Sequence, residues 1–162
     1  MPLVKYWKVN TFTSIVVWKI EEPESFFIEK SSFQSDYKNE KRRLEHVCGR
    51  FLLRLLDPHF PISKIETKPN GKPYLPPALN RDFSISHSYP YVAAVISRFQ
   101  KVGIDIQVYR DKIVRLKDKF LSLEEQELCQ NEVDALTLSW CSKEAVFKWS
   151  GSSAIDFIHH MP

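Results

Sequence analysis

Apolar residues recur along the chain at two periods, and the periods mark its elements. Residues 3–9 and 12–20 are rich in Val, Ile, Trp, Tyr and Thr and are divided at Asn10. They predict a β-hairpin or two adjacent strands. Residues 21–37 carry no clean period; a short helix fits there. From 38 to 56 the spacing changes: Leu44, Val47, Cys48, Phe51, Leu52, Leu55 and Leu56 follow the i, i+3, i+4, i+7 rule of one buried helical face. Asp57-Pro58 stops that helix, because the residue before a proline is pushed out of the α region. The stretch 68–77, KPNGKPYLPP, is a loop with a turn at Asn70-Gly71. Phe83 to Ser97 predicts two strands broken near Ser88-Tyr89-Pro90. In 101–108, Val102, Ile104, Ile106 and Val108 alternate with Gly103, Asp105 and Gln107, the period of a strand. Residues 110–130 are charged and helical in period, with Ser122 a natural N-cap for LEEQE. Residues 135–149 predict a second strong helix, stopped by Gly151. The tail SSAIDFIHHMP has the composition to begin a strand. Mixed strands and helices in this order predict an α+β fold.

With 162 residues, 43% hydrophobic and 27% charged, the chain suits one domain or two small halves on a shared core. The division expected is 1–100 and 101–162. A formal charge of +3 is too small to argue for nucleic acid by itself. Cys48, Cys129 and Cys141 form no CxxC pair and read as reduced thiols. The N-terminus lacks a signal-like apolar run, and no stretch approaches the ~20 apolar residues that span a bilayer. The expectation is a cytoplasmic protein without a membrane partner.

Four groups of residues could carry chemistry. Asp105 stands in an apolar strand, where a carboxylate is costly unless paired, and Gly103 beside it leaves room for a ligand or ion. An exposed sheet face or a salt bridge would also explain it. Glu144 and Lys148 share a face of the 135–149 helix, with Lys143 beside them. Each could be a surface charge, but Trp140, Val146, Phe147 and Trp149 predict a largely buried helix. Its charges then line a cleft suited to Mg²⁺ and a diphosphate. Ser86 and His87, after the Lys72-Pro73 loop, could donate to phosphate; a histidine satisfied at a strand end is the plainer alternative. A Ser-His-Asp hydrolase is set aside, because neighbouring strand residues point to opposite faces and no GxSxG elbow is present. Last, Arg43, Arg50 and Arg54 form a stripe on the first helix. It is either a solvated face or a means of capturing phosphate or an acidic partner.

Three blocks together resemble the 4'-phosphopantetheinyl transferase superfamily, in its larger surfactin-synthetase-activating type. They are GKPYLP with FSISHS (Gly71–Pro76, Phe83–Ser88), VGIDIQ (Val102–Gln107), and FLSLEEQE leading to WCSKEAVFKW (Phe120–Glu127, Trp140–Trp149). The resemblance spans roughly residues 40–151. It implies two similar α/β halves related by a pseudo-two-fold axis, the second incomplete, since such chains continue with further strands after this helix. It implies transfer of the phosphopantetheine arm of coenzyme A to a serine of an apo acyl or peptidyl carrier protein, with Mg²⁺. By motif, Asp105 and Glu144 are the implied metal ligands, and Gln107 stands where many members have a second acid. Glu125 is implicated in the metal and catalytic site, with Glu144 and Lys148 as the other catalytic groups. Lys143 and Lys148 face the diphosphate and pantetheine. Lys72 and Pro73 flank the adenine and phosphates, and Ser86 and His87 contact the phosphates. Two further readings stay open. One is a relative that binds coenzyme A or a carrier protein without turnover, favoured by Gln107 and the short second half. The other is a basic nucleic-acid module, which the low charge and lack of a recognised signature disfavour. The chain is expected to be a monomer, or a dimer through an exposed edge.

Overall fold

A computed structural model describes residues 2–152 and 154–161. Its one large sheet has four antiparallel strands in the order β1-β2-β6-β5. The strands are β1 (Leu3–Lys8), β2 (Thr13–Lys19), β5 (Arg81–Ser88) and β6 (Tyr91–Arg98). The fold is thus mixed α+β, as the pattern predicts. Helices α1 (Glu24–Ser31) and α2 (Glu40–Leu56) pack on one another and on the sheet. Asn39 starts α2 by accepting a hydrogen bond from the Arg42 amide at 3.0 Å, the usual service of an N-cap side chain. The face of α2 laid on the sheet holds Val47, Cys48, Phe51, Leu52 and Leu53. Leu55, expected on that face, is exposed. Gly49 lets α2 come close to β5: a Cβ there would lie 3.0 Å from the Ile85 side chain.

The predicted loop at 68–77 contains β4 (Pro73–Tyr74), which pairs with β3 (Glu66–Thr67) in a small hairpin turned at Gly71. Gly71 has φ 83°, a conformation that glycine adopts without steric cost. Beyond residue 110 come a 3-10 run (Asp111–Lys119), α3 (Leu123–Cys129) and α4 (Val133–Ser150). Ser122 and Glu125 form a reciprocal capping box at the start of α3, and Gly151 closes α4 in the left-handed region at φ 70°. A second apolar cluster, Phe120, Leu121, Cys129 and Leu136 with Trp140 and Phe157 against it, lies apart from the first.

Two expectations need correction. Residues 101–108 do not join a strand ladder. Their amides are taken by side chains of β5: Val102 N–H donates to Asp82 at 2.9 Å, Ile104 N–H to Ser84 at 3.2 Å and Val108 N–H to Ser88 at 3.0 Å. The segment therefore runs beside β5, along the polar face made by every second residue of that strand. The tail, expected to begin a strand, has turns over its described residues, fixed by the Asp156 carboxylate accepting from the Ile158 and His159 amides. Ser153 and Pro162 of that tail lie outside the described residues. Among those residues, no helix is long and apolar enough to cross a membrane.

Candidate functional site

The site grows out of β5. Its sequence RDFSISHS sends Phe83 and Ile85 toward the first core and leaves Ser84 and Ser86 buried on the other face. His87 follows Phe83 and Ile85 and meets α2, with Nδ1 3.1 Å from the carboxylate of Glu45. Ser86 instead donates its hydroxyl to Asp105 Oδ1 at 2.6 Å. The strand's alternation thus separates the adjacent serine and histidine, and the hydrolase arrangement stays excluded.

Asp105 is brought there by the 101–108 segment, which is clamped against α4. A Cβ on Gly103 would lie 2.0 Å from the Ala145 carbonyl oxygen and 2.7 Å from the Trp149 backbone nitrogen. The expectation that Gly103 leaves room for a ligand is overturned: the helix backbone takes that room. This contact turns Cys141, Glu144 and Lys148, which lie at helical spacing on α4, toward Asp105. Lys148 Nζ donates to Asp105 Oδ1 at 2.6 Å, to Ser86 Oγ at 3.1 Å and to the Ile104 carbonyl at 3.2 Å. The amide of Gln107 donates to Asp105 Oδ2 at 3.3 Å. The side chain of Asp105 is only 3% exposed.

Glu144 is half-buried, and among the described residues its carboxylate makes no ion pair or hydrogen bond. Burial raises its pKa, and the Asp105 carboxylate adds to the rise while Lys148 opposes it. Cys141 is pushed up to about 12, first by burial and then by the charge and hydrogen bond of Asp105. Asp105, Glu144 and Lys148 are thus close enough for their charges to act on one another, with Lys148 paired to Asp105. Among the described residues, no three or more His, Cys, Asp and Glu side chains converge in the manner of a metal cage. Hard oxygens from two carboxylates and one amide carbonyl do suit Mg²⁺, which keeps several waters and uses phosphate oxygens as its other ligands.

Glu125 and Lys143 make a separate centre on the other side of α4. Lys143 is buried, lies 2.6 Å from Glu125 Oε1 and donates to the Phe157 carbonyl at 2.9 Å. Glu125 also accepts from the Ser122 amide at 2.8 Å. Burial works to raise the pKa of Glu125, but Lys143 and Ser122 together hold it below the usual value. No hydrogen bond joins this pair to Asp105 among the described residues, so the predicted cleft with both lysines is divided in two.

The arginine stripe divides as well. Arg43 donates to both carboxylate oxygens of Glu24 at 2.8 and 2.9 Å, tying α2 to α1. Arg54 donates to the Pro58 carbonyl at 2.7 Å. Arg50 is buried to 8% exposure with no carboxylate partner, its guanidinium 5.4 Å from the Phe33 ring centroid. Burial lowers its pKa to about 10. It lines a cavity of about 370 Å³ with Arg42, His46 and His87. His46, missed in the sequence, is lowered to about 4 by burial and by the charges of Arg50 and His87. Lys72 donates to the Lys148 carbonyl, at the C-terminal end of α4 where a cation is favoured. With Pro73 and Lys148 it lines a second cavity of about 300 Å³. The two cavities share Gly71, Pro73 and Ile85. A third, of about 660 Å³, shares Phe147 with the second and is lined by Gln107 and Glu144 together with Ile113, Leu116 and Trp140.

Residues 101–160 match the model of the 4'-phosphopantetheinyl transferase superfamily. The matched residues hold Asp105, Gln107, Glu125, Lys143, Glu144 and Lys148, and the match supports phosphopantetheine transfer in general. No curated protein matches the chain. Asp82, Glu45, His46 and Cys141 are the site neighbours that sequence reasoning missed. The alternation of Asp82, Ser84, Ser86 and Ser88 is the signal that could have found the first of them.

Proposed function

We propose that this protein transfers the 4'-phosphopantetheine arm of coenzyme A to a serine of an apo carrier protein in the cytoplasm, with Mg²⁺ as cofactor. The observation that carries the reading is a series of three cavities, each sharing lining residues with the next and differing in character. A pocket lined by Arg42, His46, His87 and Glu45 holds the buried Arg50, which pairs with no carboxylate among the described residues. A gap lined by Lys72 and Lys148 follows, and then a mostly apolar hollow that Gln107 and Glu144 reach and that Arg110, Lys112 and Lys119 also line. Such a series suits a long ligand with a phosphate at one end, a diphosphate in the middle and an uncharged arm at the other.

Arg50, His87 and Lys72 would hold the phosphate end, and Ser86 and Lys148 the diphosphate. Asp105, Glu144 and the Gln107 carbonyl would hold Mg²⁺, whose chemistry there is to take up charge on the diphosphate oxygens. The carrier serine oxygen forms a bond to the phosphorus that bears pantetheine, and the bond from that phosphorus to the adenosine diphosphate leaving group breaks. The serine proton goes to Glu144 as general base. Lys148 steadies the equatorial oxygens, so the residues act chiefly by position and charge. Glu125 and Lys143 act from outside, by fixing the pose of α4.

A second reading, coenzyme A binding without turnover, is favoured by Gln107: its amide donates to Asp105 where an acid would add a second negative charge. The test is incubation with coenzyme A, Mg²⁺ and an apo carrier protein, read by intact mass. The expected result is the phosphopantetheine mass gain, lowered about 1,000-fold in Asp105→Ala, in line with loss of a central electrostatic group. A magnesium-dependent thermal shift with coenzyme A and no mass gain selects the second reading. Transfer that persists in Asp105→Ala and Glu144→Ala refutes the site.

A further inference from the structure

The Asp105 carboxylate already accepts from several of the protein's own donors. Oδ1 accepts from Lys148 and Ser86, both at 2.6 Å, and Oδ2 accepts from Gln107 at 3.3 Å. The ammonium is the charged donor of this set. Ser86 is fixed in a central part of β5, whereas Lys148 reaches Asp105 on a flexible four-carbon stem and keeps 24% side-chain exposure. One turn earlier on α4, Glu144 offers a second carboxylate with no donor among the described residues. A divalent ion on Asp105 and Glu144 and an ammonium on Asp105 Oδ1 would stand within a few ångströms of each other, where like charges repel strongly.

We infer that Lys148 is a resident counter-ion that competes with the divalent cation for Asp105. In this role it neutralises a carboxylate that would otherwise be buried and unpaired, and it gives up that oxygen when a metal binds. The displaced ammonium has a place to go. The cavity lined by Lys72, Pro73, Ser84 and Lys148 itself adjoins the site, and a phosphate there would receive the charge. Metal and substrate binding are then coupled through one side chain: the cation frees Lys148, and Lys148 then serves the phosphate. The inference rests on the proposed function, but it concerns the order of contacts within the site.

The experiment is a titration of the full chain with Mn²⁺ alone, without coenzyme A or carrier, followed by electron paramagnetic resonance of the free ion. Wild type is compared with Lys148→Met and Asp105→Asn. Lys148→Met is expected to bind Mn²⁺ at least 10-fold more tightly than wild type, and Asp105→Asn at least 10-fold more weakly. Binding by Lys148→Met that is no tighter than wild type, including no binding at all, overturns the inference. Loss of Lys148 leaves the buried Asp105 without a counter-charge, which could unfold the variant. A crystal of wild type grown with Mn²⁺ therefore gives a second measurement. Lys148 Nζ more than 4 Å from Asp105 supports displacement; an ammonium still hydrogen-bonded to Asp105 beside a bound Mn²⁺ overturns it. Transfer is scored separately by mass gain with Mg²⁺. Mass gain without competition leaves the transferase reading standing, and competition without mass gain removes that reading but not this one.

Discussion

Two lysines on α4, Lys143 and Lys148, reach two different carboxylates, and the surroundings of the two pairs differ in kind. Around Lys143 the charges are matched: Lys143 pairs with Glu125 and donates a hydrogen bond to the Phe157 carbonyl, and the Ser122 amide donates to the same carboxylate. Around Lys148 there is a surplus of negative charge, with Asp105 paired to Lys148 and Ser86 and Glu144 left without a donor among the described residues. The first pair is a clamp between α3, α4 and the tail. The second places an acid without a donor beside a paired one whose charge raises its pKa, and such sites are where binding and catalysis are expected. The pKa directions agree with this contrast: Glu125 is lowered, Glu144 is raised.

The sharpest way to break the comparison is to neutralise one acid from each centre. Glu144→Gln is expected to lower kcat for transfer about 100-fold at an unchanged Tm, as loss of a general base does. Glu125→Gln is expected to lower Tm instead. A fall in Tm for Glu144→Gln, with kcat intact, would exchange the roles of the two centres. Next in size is the joint that turns α4 toward Asp105. Gly103→Ala forces a Cβ into the Ala145–Trp149 backbone, and a cost of roughly 3 kcal/mol is expected, at the upper end for overpacking. Chemical denaturation measures it, and a loss below about 0.5 kcal/mol would mean that the segment and helix are not so tightly joined. Lys143→Met should cost about 2 kcal/mol, since it leaves the Glu125 carboxylate partly buried with one partner fewer.

The smallest effect is a pH dependence. Because the folded pKa of Glu125 lies below its unfolded value of about 4.5, its stabilising contribution is present above that value. The contribution is lost as pH falls through the folded pKa. Tm measured from pH 7 downward should therefore fall less steeply below about pH 4.5 in Glu125→Gln than in wild type. Parallel curves would show that the pair contributes nothing to acid stability.

Much of the architecture was legible because it rests on short-range rules. The 3.6 period of α2, the capping box at Ser122 and Glu125, the stop at Gly151 and the two strands around Ser88-Tyr89-Pro90 depend on residues a few positions apart. The 101–108 segment shows where such rules end. Alternation correctly implied an extended chain with two faces, but it could not say that the hydrogen-bond partners would be the side chains of Asp82, Ser84 and Ser88. The arginine stripe shows the same limit. Three arginines at helical spacing look alike in sequence, yet Glu24 claims Arg43, the Pro58 carbonyl claims Arg54, and Arg50 is buried without a carboxylate.

By itself the sequence determined which residues are chemically capable and the helix that carries Lys143, Glu144 and Lys148. It put Asp105 in an extended segment and Glu144 and Lys148 on one helical face, since backbone geometry fixes where successive side chains point. The tertiary structure alone decided which charge meets which. That depended on the close approach of Gly103 to α4, on the polar face of β5, and on burial that lets a contact of 2.6 Å between Lys148 and Asp105 outweigh solvent. Electrostatic pairing is set by distance and local dielectric, and neither quantity is written in the spacing of residues along a chain.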